Sequence, residues 1–336
     1  VVSISNTFKQ IGFSACVVIV PIACLIIPGG SKVLVKSGET DLPMIANEYL
    51  FTAVLTAVFG CVLFGLIPLL NKERVPYTAG DKISFKDMMG ALKSNKPFML
   101  VIISYFLGFG RQMAMGIQVQ AANILLGSQN LVAVLGISTA IGTMISMAAC
   151  PFLIKKLDEK KVFIGLSVYG FIASVLSFVI AHFWFTNPDN MVLTVLFYFS
   201  LFLMGLQFAS VNLMPMIMTA DCVDYYEYET GKRMEGTADS VLTLTIKICL
   251  ALGTALGLVF VQVSGYSDTV REIAAGTAAG FATKTKDIVF FAYAVVPGIL
   301  SLLSAIPIFK YDIVGKKKQE ISDALQARRT AAAAEK

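Results

Sequence analysis

Residues 220–236 read Ala-Asp-Cys-Val-Asp-Tyr-Tyr-Glu-Tyr-Glu-Thr-Gly-Lys-Arg-Met-Glu-Gly, which places five acids and two bases in one short stretch. Asp221, Asp224 and Glu227 recur every three residues. On a continuing helix they share a face, and Lys232 and Arg233 fold back toward it after Gly231, a residue suited to ending a helix. Charge pairs of this kind latch one segment against another, and Glu235 adds a further carboxylate. Exposed pairs contribute at most about 1 kcal/mol each, so spacing alone leaves two readings open, a solvated loop and a gating network.

A second group follows at once. Glu235, Asp239, Thr243 and Lys247 are spaced by four, a step that drifts only about 40° around a helix and keeps neighbours on one stripe. Lys247 lies about 13 Å along that helix from Ala238, inside an apolar run. A lysine at the centre of a membrane helix costs roughly 2.5–3.5 kcal/mol on insertion scales, so it must face water or a carboxylate. A transport role and a structural ion pair both meet that demand. Arg111 is a third point of interest, flanked by Gly108, Gly110 and Gln112 and followed by Gln118, Gln120 and Asn123. Guanidinium and amide groups suit bidentate bonding to hydroxyls or to a carboxylate, and the alternative is an Arg that buttresses neighbouring helices. Gln207 and Asn212 invite the same argument more weakly, because amides commonly join membrane helices.

Other chemistries are not supported. One His among 336 residues leaves no zinc-protease spacing and no His-dependent triad, and no phosphate loop is present. The chain is expected not to be an enzyme and to hold no cofactor or resident metal. The six cysteines, Cys16, Cys24, Cys61, Cys150, Cys222 and Cys249, sit in or beside apolar runs without metal-type spacing and read as small packing residues.

The elements that must position these groups are apolar helices. Hydrophobic residues make up 56% and charged residues 15% of the chain, against roughly 45–50% and 25% in a soluble domain. The excess falls in blocks of about 20 residues, the length that crosses hydrocarbon. The candidate spans are 8–28, 49–70, 98–126, 131–154, 162–185, 191–219, 238–264 and 288–310, giving an all-α integral membrane protein of about eight transmembrane helices. Lys72, Arg74, Lys82, Lys86, Lys93 and Lys96 lie in one connection, and Lys155, Lys156, Lys160 and Lys161 in another. Lys232 and Arg233 occupy a third connection, and the 313–336 tail is also basic. The segments between these are poor in Lys and Arg, so the alternation predicts a multi-pass protein of the cell membrane with both ends of the chain cytoplasmic. The net charge of +5 is read as membrane-facing, with lipid as partner and no nucleic acid. The tail is taken as a solvated helix end, and His182 and Trp184 as anchors at the outer interface.

Ala-Asp-Cys-Val-Asp-Tyr, with the Glu, Thr-Gly-Lys-Arg and Glu-Gly that follow, resembles the signature of the glycoside-pentoside-hexuronide cation symporters, the family that includes the melibiose permease. Asn95-Lys96-Pro97-Phe98 is similar to the start of that family's seventh helix, and Lys247 falls where the family has an eleventh-helix lysine. The resemblance implies a major-facilitator fold in which the eight spans are helices five to twelve of twelve. Residues 1–70 are then the last two helices of the N-terminal half and 71–97 the connector between halves. Residues 98–312 form the C-terminal half, and 313–336 the tail. The first four helices are missing from this chain under that alignment, and Val1, with no Met and no signal segment, reads as a cut. The resemblance further implies a monomer that moves a sugar, glycoside or sugar acid with Na⁺ or H⁺ by alternating access, using the Lys247 stripe. Ser5 stands where the family commonly has an arginine, seven residues before Gly12, with Lys9 nearby. Asp239 replaces an aromatic residue, and Leu242 replaces a glutamine of the melibiose permease. These differences bear on the family's galactoside preference. Transport of a lipid or other non-sugar solute, and a non-transporting membrane scaffold, are the rival readings.

Overall fold

The computed structural model describes residues 94–127, 132–208, 212–278 and 280–334, together with isolated helical positions between 54 and 90. The expected span at 8–28, with Ser5, Lys9 and Gly12, lies outside the described residues, as do the 49–70 span and the 71–97 connector apart from those isolated positions and 94–97. Residues 86–336 belong to one compact unit and 12–85 to another, and helices α1 to α11 all lie in the former.

The described residues are all helical where they are regular. The expected third span is three helices in series: α1 (Lys96–Leu107), α2 (Arg111–Gly116) and α3 (Gln118–Leu126). Asn95 starts α1 by accepting from the Phe98 amide at 3.1 Å, and Pro97 sits in the first turn, where its missing N–H is of no consequence. The span breaks at Gly108–Gly110 and again at Ile117, whose φ and ψ of −112° and 10° are not helical.

α4 (Val132–Thr186) combines the expected fourth and fifth spans. The basic 155–161 connection, expected as a loop, is helical except at Asp158, where φ is 66° and ψ is 156°. That one residue turns the chain, because Gly142 and Gly170, on opposite sides of it, both meet the end of α5 (Met191–Leu206) at Gly205 and Gln207. Such a conformation is almost restricted to glycine and costs on the order of 1–3 kcal/mol. It is held by its neighbours: Glu159 accepts from Lys318, and Lys160 donates to the Phe309 and Tyr311 carbonyls at 2.7 and 3.1 Å.

α5 lies against both arms of α4. Thr143 and Ser146 of one arm bond to the Gly205 and Leu206 carbonyls, and Tyr169 and Ser177 of the other to those of Leu203 and Ser200. Hydroxyls joining helices in this way satisfy side chains that hydrocarbon would leave unpaired. α6 (Met214–Thr230) ends at Gly231, whose φ is 71° and whose N–H returns to the Glu227 carbonyl, a cap that favours glycine. α7 (Glu235–Val263) and the short α8 (Tyr266–Ala274) follow. α9 (Thr283–Phe290) continues through a π-turn, Phe291–Val295, into α10 (Val296–Ile308). The wider turn accommodates Pro297, which has no N–H to give to the preceding turn. α11 (Gly315–Ala334) is the tail.

Among the described residues, three helical stretches are long and apolar enough to cross a membrane: Leu135–Thr186, Glu235–Val263 and Thr283–Ile308. The first contains both arms of α4, each longer than the roughly 20 residues a crossing needs. Lys96–Leu107 and Met191–Leu206 are apolar but shorter, and the first ends at the Gly108–Gly110 break.

Among the described residues, two large apolar clusters form the core, and a small third one joins Tyr105, Leu242 and Cys249. One gathers Phe98, Met147, Cys150, Met214, Met218, Cys222 and Tyr311 with Ile321 and Leu325 of the tail. The other gathers Met113, Ile117, Leu135, Phe197, Leu201 and Phe290 around Trp184. Trp184, expected at the interface, is 8% exposed, stacks on Phe197 at 4.4 Å and donates to Thr194. The indole N–H has found an internal acceptor, which removes its need for water. His182 is half exposed and lies 3.0 Å from Asp287. Cys150, Cys222 and Cys249 are buried and unbridged, and Cys61 is exposed.

Candidate functional site

Four of the five acids of the 220–236 stretch divide between two cationic centres. Arg233 folds back past Gly231 and reaches Glu227 at 2.6 Å, Glu235 at 2.9 Å and Asp224 at 3.3 Å. Its guanidinium is 44% exposed, so this fork is a solvent-side cluster worth little per pair. Lys232 is exposed, and its backbone N–H donates to the Thr230 hydroxyl. Asp221 turns elsewhere, to Lys318 of α11 at 2.8 Å, and Lys318 also reaches Glu159 at 2.5 Å.

That second centre is not legible in the local charge pattern. Glu159 and Asp221 have side chains only 6% and 12% exposed, and they meet through an ammonium 159 and 97 residues away in sequence. The tail expected to be solvated is docked: Ile321 and Leu325 are 4% and 3% exposed, and Arg328 donates to the Glu227 and Tyr228 carbonyls. Lys317 pairs with Asp312 and lies over the Tyr225 ring. Asn95 ties the first turn of α1 to the Cys222 carbonyl at 2.8 Å.

The triad is pH-sensitive. Burial raises the Asp221 carboxyl to about 6, outweighing the pull of Lys318, and Glu159 and Asp224 push it the same way. Burial alone lowers the Lys318 ammonium, but the two carboxylates more than reverse this, so it stays charged throughout. The folded state therefore holds more protons than the unfolded one between the ordinary Asp value near 4 and about 6. The contribution of this group to folding stability is fullest below about pH 4, falls by on the order of 2–3 kcal/mol as pH rises to about 6, and is then flat. The unfolding temperature of the detergent-solubilised protein measured from pH 4 to 7 is expected to fall along that curve, and Asp221→Asn to remove the slope. An unchanged slope in the variant would assign it to another group.

The Lys247 stripe occupies one face of α7. Glu235, Asp239, Thr243 and Lys247 are all exposed, whereas Leu242, Thr245, Cys249, Gly253, Gly257 and Val261 are buried. The buried face is fixed by α1–α3: a Cβ at Gly253 would meet the Phe109 carbonyl oxygen at 2.8 Å, and one at Gly257 the Ile117 side chain at 2.6 Å. From the other side, a Cβ at Gly116 would meet the Thr254 hydroxyl at 2.7 Å. Small residues four apart allow this close approach. The charged stripe points away from it.

Arg111 is 4% exposed, so it is not on an open polar face. It folds across the Gly108–Gly110 break, donates to the Tyr105 carbonyl at 2.6 Å and stacks with Cζ 3.7 Å from the Tyr105 ring centre. Gln118 and Gln120 are half-buried at the start of α3, and the Gln120 side-chain oxygen has no hydrogen-bond partner among the described residues. Beside Tyr105 lies a cavity of about 280 Å³ lined by Tyr105, Gln112, Asn212, Leu242 and Ile246, with Met115, Pro215, Met216 and Leu250 completing an apolar wall. Gln112 also donates toward the Tyr105 hydroxyl at 3.4 Å. Sequence reasoning misses Tyr105, because a lone tyrosine in an apolar helix carries no pattern. Among the described residues, no cluster of three metal-ligating side chains is found.

The sequence is similar to several transport proteins. It is 26% identical over 290 residues to a protein of Salmonella typhimurium named "Putative 2,3-dihydroxypropane-1-sulfonate exporter", covering 84% of this chain and 58% of that protein. It is 24% identical to the isoprimeverose transporter of Lactiplantibacillus pentosus, covering 66% and 45% of the two chains. It is 25% identical to the "Putative sulfoquinovose importer" of Escherichia coli, covering 67% and 46%. The chain thus spans about half the length of these relatives. Residues 2–315 match the family described as MFS/sugar transport protein. With nearly its whole length inside that match, and with helices apolar enough to cross a membrane, the chain belongs to the MFS/sugar transport family of integral membrane proteins.

Proposed function

We propose that this chain is part of a secondary transporter that moves a sugar, glycoside or sugar acid together with Na⁺ or H⁺ by alternating access, and that it is not an enzyme. The observation that carries the reading is Lys247. An ammonium midway along an apolar 29-residue helix, on the face that glycine packing leaves open, must meet water or a counter-charge rather than lipid. A polar pathway supplies both. In this reading the stripe Asp239, Thr243 and Lys247 lines the pathway, with Arg111, Gln118 and Gln120 supporting it from α2 and α3. The Arg233 cluster with Asp224, Glu227, Glu235 and the neighbouring Lys232 and Asp221 forms a gate at the basic end.

The finer topology belongs to the same proposal. Eight spans stand for helices five to twelve of a twelve-helix fold, 71–97 is the connector between halves, and both ends of the chain face the cytoplasm. The protein works as a monomer and needs a coupling cation but no cofactor. The relatives' names refer to sugars and to sulfonated polyols, and they support small polyhydroxylated solutes, some of them anionic, as the first candidates. One observation favours the rival reading of a lipid or other non-sugar solute: six of the nine residues around the cavity are apolar. Proteoliposomes holding the full natural protein separate the two. The expected result is uptake of a sugar, sugar acid or sulfonated sugar that depends on a Na⁺ or H⁺ gradient. Movement of a labelled lipid with no gradient-driven sugar uptake would support the rival.

A further inference from the structure

The geometry points to Arg111 as a positioning residue for solute recognition: it clamps Tyr105 so that the phenol, with Gln112 and Asn212, forms the polar part of an otherwise apolar cavity wall. This rests on reading that cavity as the solute site. Arg111 does not itself line the cavity. It sits behind it, at 4% exposure, with its guanidinium over the Tyr105 ring and one N–H on the Tyr105 carbonyl. Cys249 approaches the same carbonyl at 3.8 Å from α7, and Gln112 reaches the phenol oxygen at 3.4 Å. Tyr105 is therefore held at its backbone, its ring face and its hydroxyl.

The helix break makes this arrangement possible. A continuous helix would carry residue 111 onward instead of back across the preceding turn. Gly108 leaves the space, since a Cβ there would meet the Arg111 Nη2 and Cζ at 3.1 and 3.2 Å and the Ser304 Cβ at 3.2 Å. A Cβ at Gly110 would meet the end of the Leu300 side chain at 2.3 Å and oblige it to shift. A planar guanidinium lies flat on the ring while one N–H bonds the carbonyl, a geometry that an ammonium, a point charge without a plane, does not reproduce. In a cavity whose remaining wall is Met, Leu, Ile and Pro, three polar side chains carry the hydrogen bonding, so the angle of one phenol decides which hydroxyl patterns fit.

The test measures concentration-dependent uptake in proteoliposomes holding the full natural protein, with the inserted, folded amount determined for each variant. Tyr105→Phe keeps the ring and the carbonyl that Arg111 grips. It is expected to insert normally and to raise KM for the transported solute about tenfold with Vmax unchanged, the effect of losing one hydrogen bond to the solute. Arg111→Lys and Arg111→Gln are expected to raise KM similarly, and Arg111→Gln combined with Tyr105→Phe to be no worse than the poorer single variant. Should the Arg111 variants fail to insert, Gly108→Ala displaces the guanidinium without removing it and is expected to raise KM in the same way. Multiplying effects in the double variant, or a fall in Vmax with KM unchanged, would overturn the proposal. A wild-type protein that moves a lipid or another non-sugar solute defeats the sugar reading alone. The same variants assayed on that solute then decide this one, an unchanged KM overturning it.

Discussion

Lys247→Ala in the full natural protein is expected to abolish concentrative solute uptake while leaving membrane insertion intact. The two halves of that result have one origin. Removing an ammonium from mid-helix lowers the insertion cost by roughly 2.5–3.5 kcal/mol, so the variant reaches the membrane at least as well as the parent. What is lost is the charge that the open face of α7 presents beside Thr243 and Asp239. Lys247→Arg keeps the charge but changes its reach and fork, so partial uptake is expected from it. Asp239 lies two turns away on the same stripe, and Asp239→Asn combined with Lys247→Ala is expected to be less than additive where the two groups meet through the same ion or solute. Gradient-driven uptake with cell-surface quantification reads all of these. Full concentrative uptake by Lys247→Ala would remove the residue from the site and the central support from the transport reading.

Lys318→Ala is expected to release the tail. The substitution leaves Glu159 and Asp221 facing one another almost out of water, without the ammonium that joins them. Breaking a fully buried pair costs about 3–5 kcal/mol. Because the Lys318 side chain is 36% exposed, a cost nearer roughly 2–3 kcal/mol is expected. Limited proteolysis within 315–334 is expected to become rapid, and the detergent-solubilised protein to unfold several degrees lower. Glu159→Gln with Asp221→Asn in the Lys318→Ala background removes the repulsion and is expected to restore much of the protection. A tail equally protected in Lys318→Ala would mean that Ile321, Leu325 and Arg328 hold it unaided.

These two lysines also mark what can be read without a fold. Lys247 is legible because its neighbours are apolar on both sides, and hydrocarbon makes one charge conspicuous. The reversal at Gly231 is legible too, since the glycine, the acids before it and the bases after it are contiguous. Lys318 is not, because its carboxylates come from two other helices and nothing in a lysine-rich tail singles out one ammonium. The same limit applies to Trp184, whose internal acceptor Thr194 sits on the next helix. Helix breaks are half legible: Gly108 and Gly110 suggest one in the third span, whereas Ile117 is an ordinary helix former. Asp158 is the reverse case, a charged residue in a backbone conformation that only the packed structure around it enforces. The polar wall around Tyr105 depends on which side chains converge from α1, α2 and the start of α6, and no spacing rule predicts that.

Gly116, Gly253 and Gly257 have a mechanical meaning for whatever motion this protein performs. At Gly116 and Gly253 main-chain atoms come together with no side chain between them, and at Gly257 the Ile117 side chain fills the space, so sliding α7 along α1–α3 by even one residue would drive a side chain into these atoms. The two elements therefore travel together as a single strut. α7 then has one welded flank and one open flank, and in the proposed transport cycle the sliding surfaces fall on the open flank, where Lys247 stands. Gly253→Ala is a wedge in the weld, and its damage should appear as a shift of the open flank relative to the Tyr105 cavity before it appears as unfolding.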